Sequence, residues 1–247
     1  MGEITRQWPF ENPEYGAFAL TIREPTLTGD SLGLKTWGSS YVLARLLHEF
    51  SAGTLAHLLP PRAPPRDILE LGSGTGLLGL AAAAIWRANV VLTDLPGILS
   101  NLAHNAELNM ATIEARGGRA EAAALTWGIN TDESDPRFSD GRRFELVLAA
   151  DSLYDDDHPA LLSSTIDVQL GLGTDARVLA MVPQRDDITE ELLSAFKKEM
   201  AGLNASLRCI DEGTVPGEDD WGDQGDDDET RRLGFWWGVF KRDTLGR

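Results

Sequence analysis

Apolar positions along this chain alternate between two patterns. The runs 68–71, 90–93, 146–150 and 177–182 are short and almost continuously apolar, as strands covered on both faces must be. Between and after them lie the longer stretches 77–87, 97–109, 159–170 and 188–200, long enough to be helices. Weaker strands are expected near 122–125, near 206–210 and at 234–241. Upstream, Ser39 or Ser40 can cap a helix running to about Phe50, with Val42, Leu43, Leu46 and Leu47 on its apolar stripe. The alternating stretch 17–22 reads as a strand of a small N-terminal hairpin. Prolines at 60, 61, 64 and 65 make a stiff connector that ends any helix before the first central strand. Strands alternating with helices at this spacing predict an α/β fold with a doubly wound, mostly parallel sheet and helices on both faces. Residues 1–35 form an N-terminal extension in this reading and 36–247 a single domain.

The first strand–loop–helix–strand passage carries chemistry. It ends its first strand at Glu70, continues through Gly72, Ser73, Gly74 and Gly76 into an apolar helix, and ends its second strand at Asp94. Such an order suits an adenosine-containing cofactor lying over the carboxyl ends of the two strands. Gly74, Gly76 and Gly79 fit a dinucleotide fingerprint, with Asp94 at about the spacing of a ribose-binding acid, so the glycines alone do not choose the cofactor. Charge does. A pyrophosphate needs the free N–H groups of the helix N-terminus, and Glu70 stands where it would repel that dianion. S-adenosylmethionine has no phosphate and carries a sulfonium and an α-ammonium, so the loop reads as a site for it, with Asp94 on the ribose hydroxyls and Gly72 and Gly74 allowing close backbone approach.

Further segments follow in order: Trp37-Gly38 near the start, Thr93-Asp94-Leu95-Pro96, His104-Asn105-Ala106-Glu107-Leu108-Asn109, Trp127-Gly128, and an apolar strand leading through Ala149-Ala150 into Asp151-Ser152-Leu153-Tyr154. Together they resemble the class I, seven-β-strand methyltransferases, in the protein-lysine methyltransferase branch that modifies elongation factors and chaperones. The resemblance covers roughly residues 32–184, and the acid-x-x-tyrosine stretch is its most specific element. The sequence Thr36-Trp37-Gly38-Ser39-Ser40 departs from the commoner form with proline or aspartate after the tryptophan. What the resemblance implies is a Rossmann-like, seven-stranded sheet with an antiparallel last strand. It also implies S-adenosylmethionine as cofactor and S-adenosylhomocysteine as product. Trp37, Glu70, Gly72, Ser73, Gly74, Gly76, Asp94, Leu95, Trp127 and Ala150 would surround the cofactor, while Asp151 and Tyr154 would line the channel for the substrate lysine.

Composition narrows the partners. The chain has 247 residues, 42% of them hydrophobic, enough for one sizeable core. Its 22 basic and 39 acidic side chains leave a net charge of −17. Nucleic-acid binding draws on clustered Lys and Arg, and pairs such as Arg142-Arg143 and Arg231-Arg232 are short and diluted by acids. A basic, lysine-bearing protein surface is the easier partner. One cysteine, Cys209, excludes an internal disulfide and suits a reducing, cytoplasmic setting. No apolar run is long enough to span a bilayer, His48, His57, His104 and His158 lack ligand spacing, and neither a metal site nor an oligomer is expected.

Plainer roles stand beside these. Asp94 could cap the following helix, Trp127 could be core, Trp37 could anchor the N-terminal segment, and Asp151 could cap a helix. The acidic run 218–229 reads first as a solvated connector, and second as a docking surface for a basic protein with Trp221 as its anchor. A small-molecule N- or O-methyltransferase, or a methyltransferase-fold binding module, remain the alternatives to a protein-lysine enzyme.

Overall fold

The computed structural model describes residues 2–26, 32–60, 64–128, 134–139, 141, 144–219 and 232–243. The N-terminal strands β1 (Ile4–Asn12) and β2 (Gly16–Glu24) pair antiparallel as a hairpin sheet of their own. After them come α1 (Gly38–Ala52), β3 (Asp67–Leu71), α2 (Leu77–Trp86), β4 (Asn89–Asp94), α3 (Leu99–Ala115), β5 (Arg119–Ala124), β6 (Leu146–Ala150), α4 (His158–Gln169), β7 (Arg177–Pro183), α5 (Asp187–Gly202), β8 (Leu207–Glu218) and β9 (Arg232–Arg242). The last seven strands form one sheet in the order β5-β4-β3-β6-β7-β9-β8. Neighbours from β5 to β7 are parallel, and β9 runs antiparallel to both β7 and β8.

Alternation along each central strand divides the core into two layers. Ile68, Leu146, Leu148, Leu179 and Met181 point to the side of α1, α2, α3 and the hairpin. Leu69, Val147, Ala149, Val178 and Ala180 point to the side of α4 and α5. Both faces are covered, which is why these strands read as almost continuously apolar runs. Helix α2 is buried from Leu77 through Ala84, as expected of a helix without a polar face.

The hairpin is fixed to the domain by amides. Asn105 and Asn109 lie one turn apart on α3 and face the open edge of β2. Asn109 accepts from the Thr21 N–H at 2.8 Å and donates to the Thr21 carbonyl at 2.8 Å. Asn105 repeats this at Arg23, at 2.9 and 3.1 Å, and also donates to the Thr75 carbonyl at 2.9 Å. Two buried side chains thus substitute for a missing strand and tie the hairpin to the loop after β3. This gives a physical role to the asparagines of the 104–109 motif.

The chain lays β3, β4 and β5 outward, then crosses back to place β6 beside β3. That reversal opens a crevice at the carboxyl ends of β3 and β6, where ligands bind in open α/β sheets.

Candidate active site

A cleft of about 510 Å³ occupies this crevice, within the usual size of a small-molecule site. Its walls bring together Trp37, Glu70, Gly72, Ser73, Gly74, Asp94, Leu95, Trp127, Ala150, Asp151 and Tyr154, which are far apart in the chain. Gly76 lies off the cleft. It precedes α2 at φ 88°, and its backbone packs toward Leu102 and Leu92, so it shapes the loop instead of lining the site.

The loop after β3 is built by backbone geometry. Gly72 and Gly74 have φ of 68° and 56°, a region costly for side-chain-bearing residues. A Cβ on Gly72 would stand 3.1 Å from the Trp127 ring, and one on Gly74 would stand 3.2 Å from the Gly33 carbonyl oxygen. Ser73 locks the loop to β4: its N–H donates to the Thr93 carbonyl at 2.9 Å while its hydroxyl accepts from the Thr93 N–H at 2.9 Å. The Thr93 hydroxyl closes the link by donating to the Glu70 carbonyl at 2.6 Å.

Glu70 excludes a pyrophosphate differently from the repulsion expected. Its side chain turns under the loop and accepts from the Gly79 N–H at 3.2 Å, one of the four donors at the start of α2 that have no partner in the helix. Part of the helix N-terminus that a phosphate would use is therefore already occupied by the chain's own carboxyl. Burial pushes this carboxyl up to about 8, against the hydrogen bond from Gly79. Near neutral pH it is largely protonated, so occupancy of the helix terminus does the excluding, more than net charge.

Asp94 ends β4 with each oxygen engaged by backbone. Oδ2 accepts from the Gly74 N–H at 2.7 Å and Oδ1 from the Leu95 N–H at 2.8 Å. Burial raises its pKa while these two bonds oppose the shift. Helix α3 begins only at Leu99, so Asp94 does not cap it. Each carboxylate oxygen keeps a further lone pair for a hydroxyl.

The opposite wall holds the expected substrate-side pair together with Arg185 and His158, and Arg185 also reaches Asp219 in the acidic run 218–229. Asp151 follows β6 at φ 56° and lies far from the start of α4, which Asp157 precedes. Arg185, two residues beyond β7, grips the carboxylate of Asp151 bidentately at 2.8 and 2.7 Å. The same guanidinium donates to Asp219 and lies 5.3 Å from the Trp37 ring centroid. Burial raises the Asp151 carboxyl against the pull of that guanidinium, and the two carboxylates hold Arg185 firmly protonated. Tyr154 is exposed at the mouth, and its phenol is raised by burial of the ring base and by Asp94, Asp155 and Asp151, so it offers a hydroxyl and not a phenolate.

His158, grouped with the other histidines as uninvolved, also lines the cleft. Its Nδ1 is 3.0 Å from the Ser152 carbonyl oxygen; a carbonyl only accepts, so Nδ1 carries the proton. Its ring meets Tyr154 and Trp127 edge-on, at 4.2 and 5.5 Å between centroids. Its place four residues after Tyr154 was the available signal. Arg185 had no comparable signal, because its importance depends on two aspartates 34 residues away on either side. Among the described residues no group of His, Cys, Asp and Glu is placed to hold a metal.

With this geometry in place, comparison with known proteins decides the family. The family model for lysine methyltransferases matches residues 17–199. The chain belongs to that family. Over 218 residues it is 31% identical to protein-lysine N-methyltransferase EFM2 of Saccharomyces cerevisiae, covering 83% of this chain and 49% of that one. It is 32% identical over 207 residues to protein-lysine N-methyltransferase rrg1 of Schizosaccharomyces pombe, covering 83% and 62%. The chain thus spans about half to three-fifths of these relatives. A shorter match, 38% identical over 89 residues, joins 36% of it to 34% of mouse EEF1A lysine methyltransferase 3. Among solved structures, a SAM-dependent methyltransferase from Agrobacterium tumefaciens shares the fold with a TM-score of 0.54 at 14% identity, covering 95% of this chain and 70% of that one. The family match runs from β2 through most of α5 and takes in every cleft residue named so far; Asp219, the partner of Arg185 just past β8, lies outside it.

Proposed function

We propose that this lysine methyltransferase family member is an S-adenosylmethionine-dependent protein-lysine N-methyltransferase of the cytoplasm, acting on a translation elongation factor or a chaperone. The observation that carries the reading is the single cleft that joins the Glu70–Gly74 loop and Asp94 to the Asp151–Tyr154 turn, in a chain whose curated relatives are protein-lysine N-methyltransferases. The residues fit the cofactor. The glycine cradle would be filled by a Cβ, Asp94 keeps acceptor capacity for two hydroxyls, and Glu70 becomes a matching anion beside a cation. When bound, the cofactor supplies a methyl group already activated by a sulfonium. Everything else falls to the chain: holding partners in line, excluding water and receiving a neutral amine.

A free lysine must give up a proton at a cost of about 4–5 kcal/mol at neutral pH. Desolvation in the cleft lowers that cost by disfavouring the ammonium. Tyr154 presents its hydroxyl and ring to the amine at the mouth. Asp151 contributes through the backbone of its turn, since its carboxylate is committed to Arg185. The substrate partner is a protein with a basic, lysine-bearing surface, drawn by the −17 net charge. The acidic run 218–229 and Trp221, proposed as its docking surface, lie outside the described residues apart from Glu218 and Asp219.

The test is incubation with labelled S-adenosylmethionine and a cell lysate, followed by separation of proteins from small molecules. Label on one discrete protein band, released as methyllysine on hydrolysis, is the expected result. Label confined to the small-molecule fraction would overturn the protein substrate, and absence of any transfer would overturn the enzyme.

A further inference from the structure

Four segments that meet at the substrate side of the cleft share one side chain. Arg185 donates to Asp151 on the turn after β6 and to Asp219 just past β8, and its guanidinium lies over Trp37 at the start of α1. The side chains of Asp151 and Asp219 are 7% and 18% exposed, against 26% for Arg185. The cluster is thus held in low-dielectric surroundings, where charge-assisted, bidentate bonds are strong and directional. The contact is close at the backbone too: a Cβ on Gly38 would fall 2.5 Å from the Glu218 carbonyl and 2.7 Å from Asp219 Cα. So α1 and the base of the β8–β9 arm touch without intervening side chains.

Asp151 needs this clamp. Among the described residues only it and Arg87 are non-glycines with positive φ, a conformation that persists when surrounding structure enforces it. Its N–H donates to the Met181 carbonyl at 3.0 Å, which holds one side of the turn. Arg185 holds the other. Tyr154, three residues on, inherits its position from that turn.

We propose that Arg185 is a positioning residue for methyl transfer, holding the Asp151–Tyr154 turn in its transfer geometry by anchoring it to Asp219 at the root of the β8–β9 arm. This rests on the protein-lysine methyltransferase reading. Its consequence is that the wall facing the amine depends on an arm contributed by the last two strands of the sheet, so the arm's seating on α1 controls turnover. Lysine cannot replace arginine here. An ammonium is a point charge and cannot span two carboxylates through a planar fork.

The test compares wild type, Arg185→Lys, Arg185→Ala, Asp219→Asn and a control, Lys197→Met. The control removes an ion pair to Glu212 on the outer side of the same arm. Each is assayed for kcat and KM with the labelled protein substrate, and for S-adenosylhomocysteine affinity by calorimetry. Arg185→Lys is expected to lower kcat at least tenfold with cofactor affinity changed less than threefold. Asp219→Asn, which keeps the Asp151 contact, should lower kcat by a smaller factor in the same direction, and Lys197→Met should match wild type. Millimolar guanidinium should restore part of the rate to Arg185→Ala. Wild-type kcat in Arg185→Lys, or parallel losses of cofactor affinity, thermal stability and rate with no guanidinium rescue, would overturn the proposal. Absence of transfer by wild type would instead overturn the function on which it rests.

Discussion

Glu70 combines a buried carboxyl with the proposed cofactor role, and the two demands oppose each other. In the absence of ligand its pKa stands at about 8, against an ordinary value of 4.5, because burial disfavours the charge. A carboxyl raised on folding contributes stability in full below about 4.5, and that contribution is lost as pH climbs through about 8, since the unfolded chain ionises first. Relative to a side chain that never ionises, the native state is penalised by roughly 1 kcal/mol at pH 5.5 and roughly 4 kcal/mol at pH 7.5. Glu70→Gln keeps an oxygen for the Gly79 N–H and removes the titration. Urea unfolding without cofactor should show the variant gaining on wild type by roughly 2–3 kcal/mol between these two pH values. Any packing difference between the two side chains is independent of pH and cancels in that comparison. A constant gap at pH 5.5 and 7.5 would refute the reasoning.

Ligand binding should reverse the ranking. A cation beside Glu70 favours its ionised form, so cofactor binding to wild type should release a proton below pH 8 and tighten as pH rises from 6 to 8, by at most about tenfold per pH unit. Glu70→Gln should bind more weakly and show a flat profile. Calorimetry in buffers of different ionisation enthalpy counts the released proton directly. Equal affinity of both proteins across this range would remove Glu70 from the cofactor site.

Three further outcomes are expected. Asp94→Ala should weaken S-adenosylhomocysteine binding at least tenfold in calorimetry, each lost charge-assisted bond being worth about 1.5–3 kcal/mol; Asp94→Asn, which keeps an acceptor for the Gly74 N–H, separates ribose contact from loop support, and an unchanged Kd in folded Asp94→Ala would misplace the site. Gly79→Ala would set a Cβ 2.2 Å from Leu92 Cδ2 and 2.5 Å from Glu70 Oε2, so it should cost about 1–3 kcal/mol in denaturant unfolding, and a neutral result would mean that this approach relaxes easily. Converting Asp226, Asp227 and Asp228 to Asn should slow methylation at low substrate and low salt while leaving kcat unchanged, as expected if their charges steer a basic partner; identical low-substrate rates would make the run a plain connector.

What could be read from the sequence was what repeats or what has a local spacing. Buried parallel strands such as 68–71 and 146–150 identify themselves as short, almost continuously apolar runs, and the order of strand, glycine loop, helix and acid places Asp94 at the carboxyl end of the second strand before any coordinates exist. The same local logic does not separate Gly76, which shapes the loop, from the glycines that line the cleft, and it does not register the burial of Glu70, which changes the charge on which the argument stood. What could not be read depends on side chains meeting across the sheet. Asn105 and Asn109 look like ordinary polar helix positions until β2 is seen to lack a partner along that edge. Arg185 looks like one more arginine at the end of a strand. Its role appears only when β6, β7 and β8 deliver Asp151, Arg185 and Asp219 to one point, and β8 reaches that point only because β9 runs antiparallel between it and β7. The glycine loop and its acid are therefore encoded in one continuous stretch, 70–94, while the rest of the cleft is assembled from positions 37, 127, 150, 151, 154 and 185, with Asp219 holding Arg185.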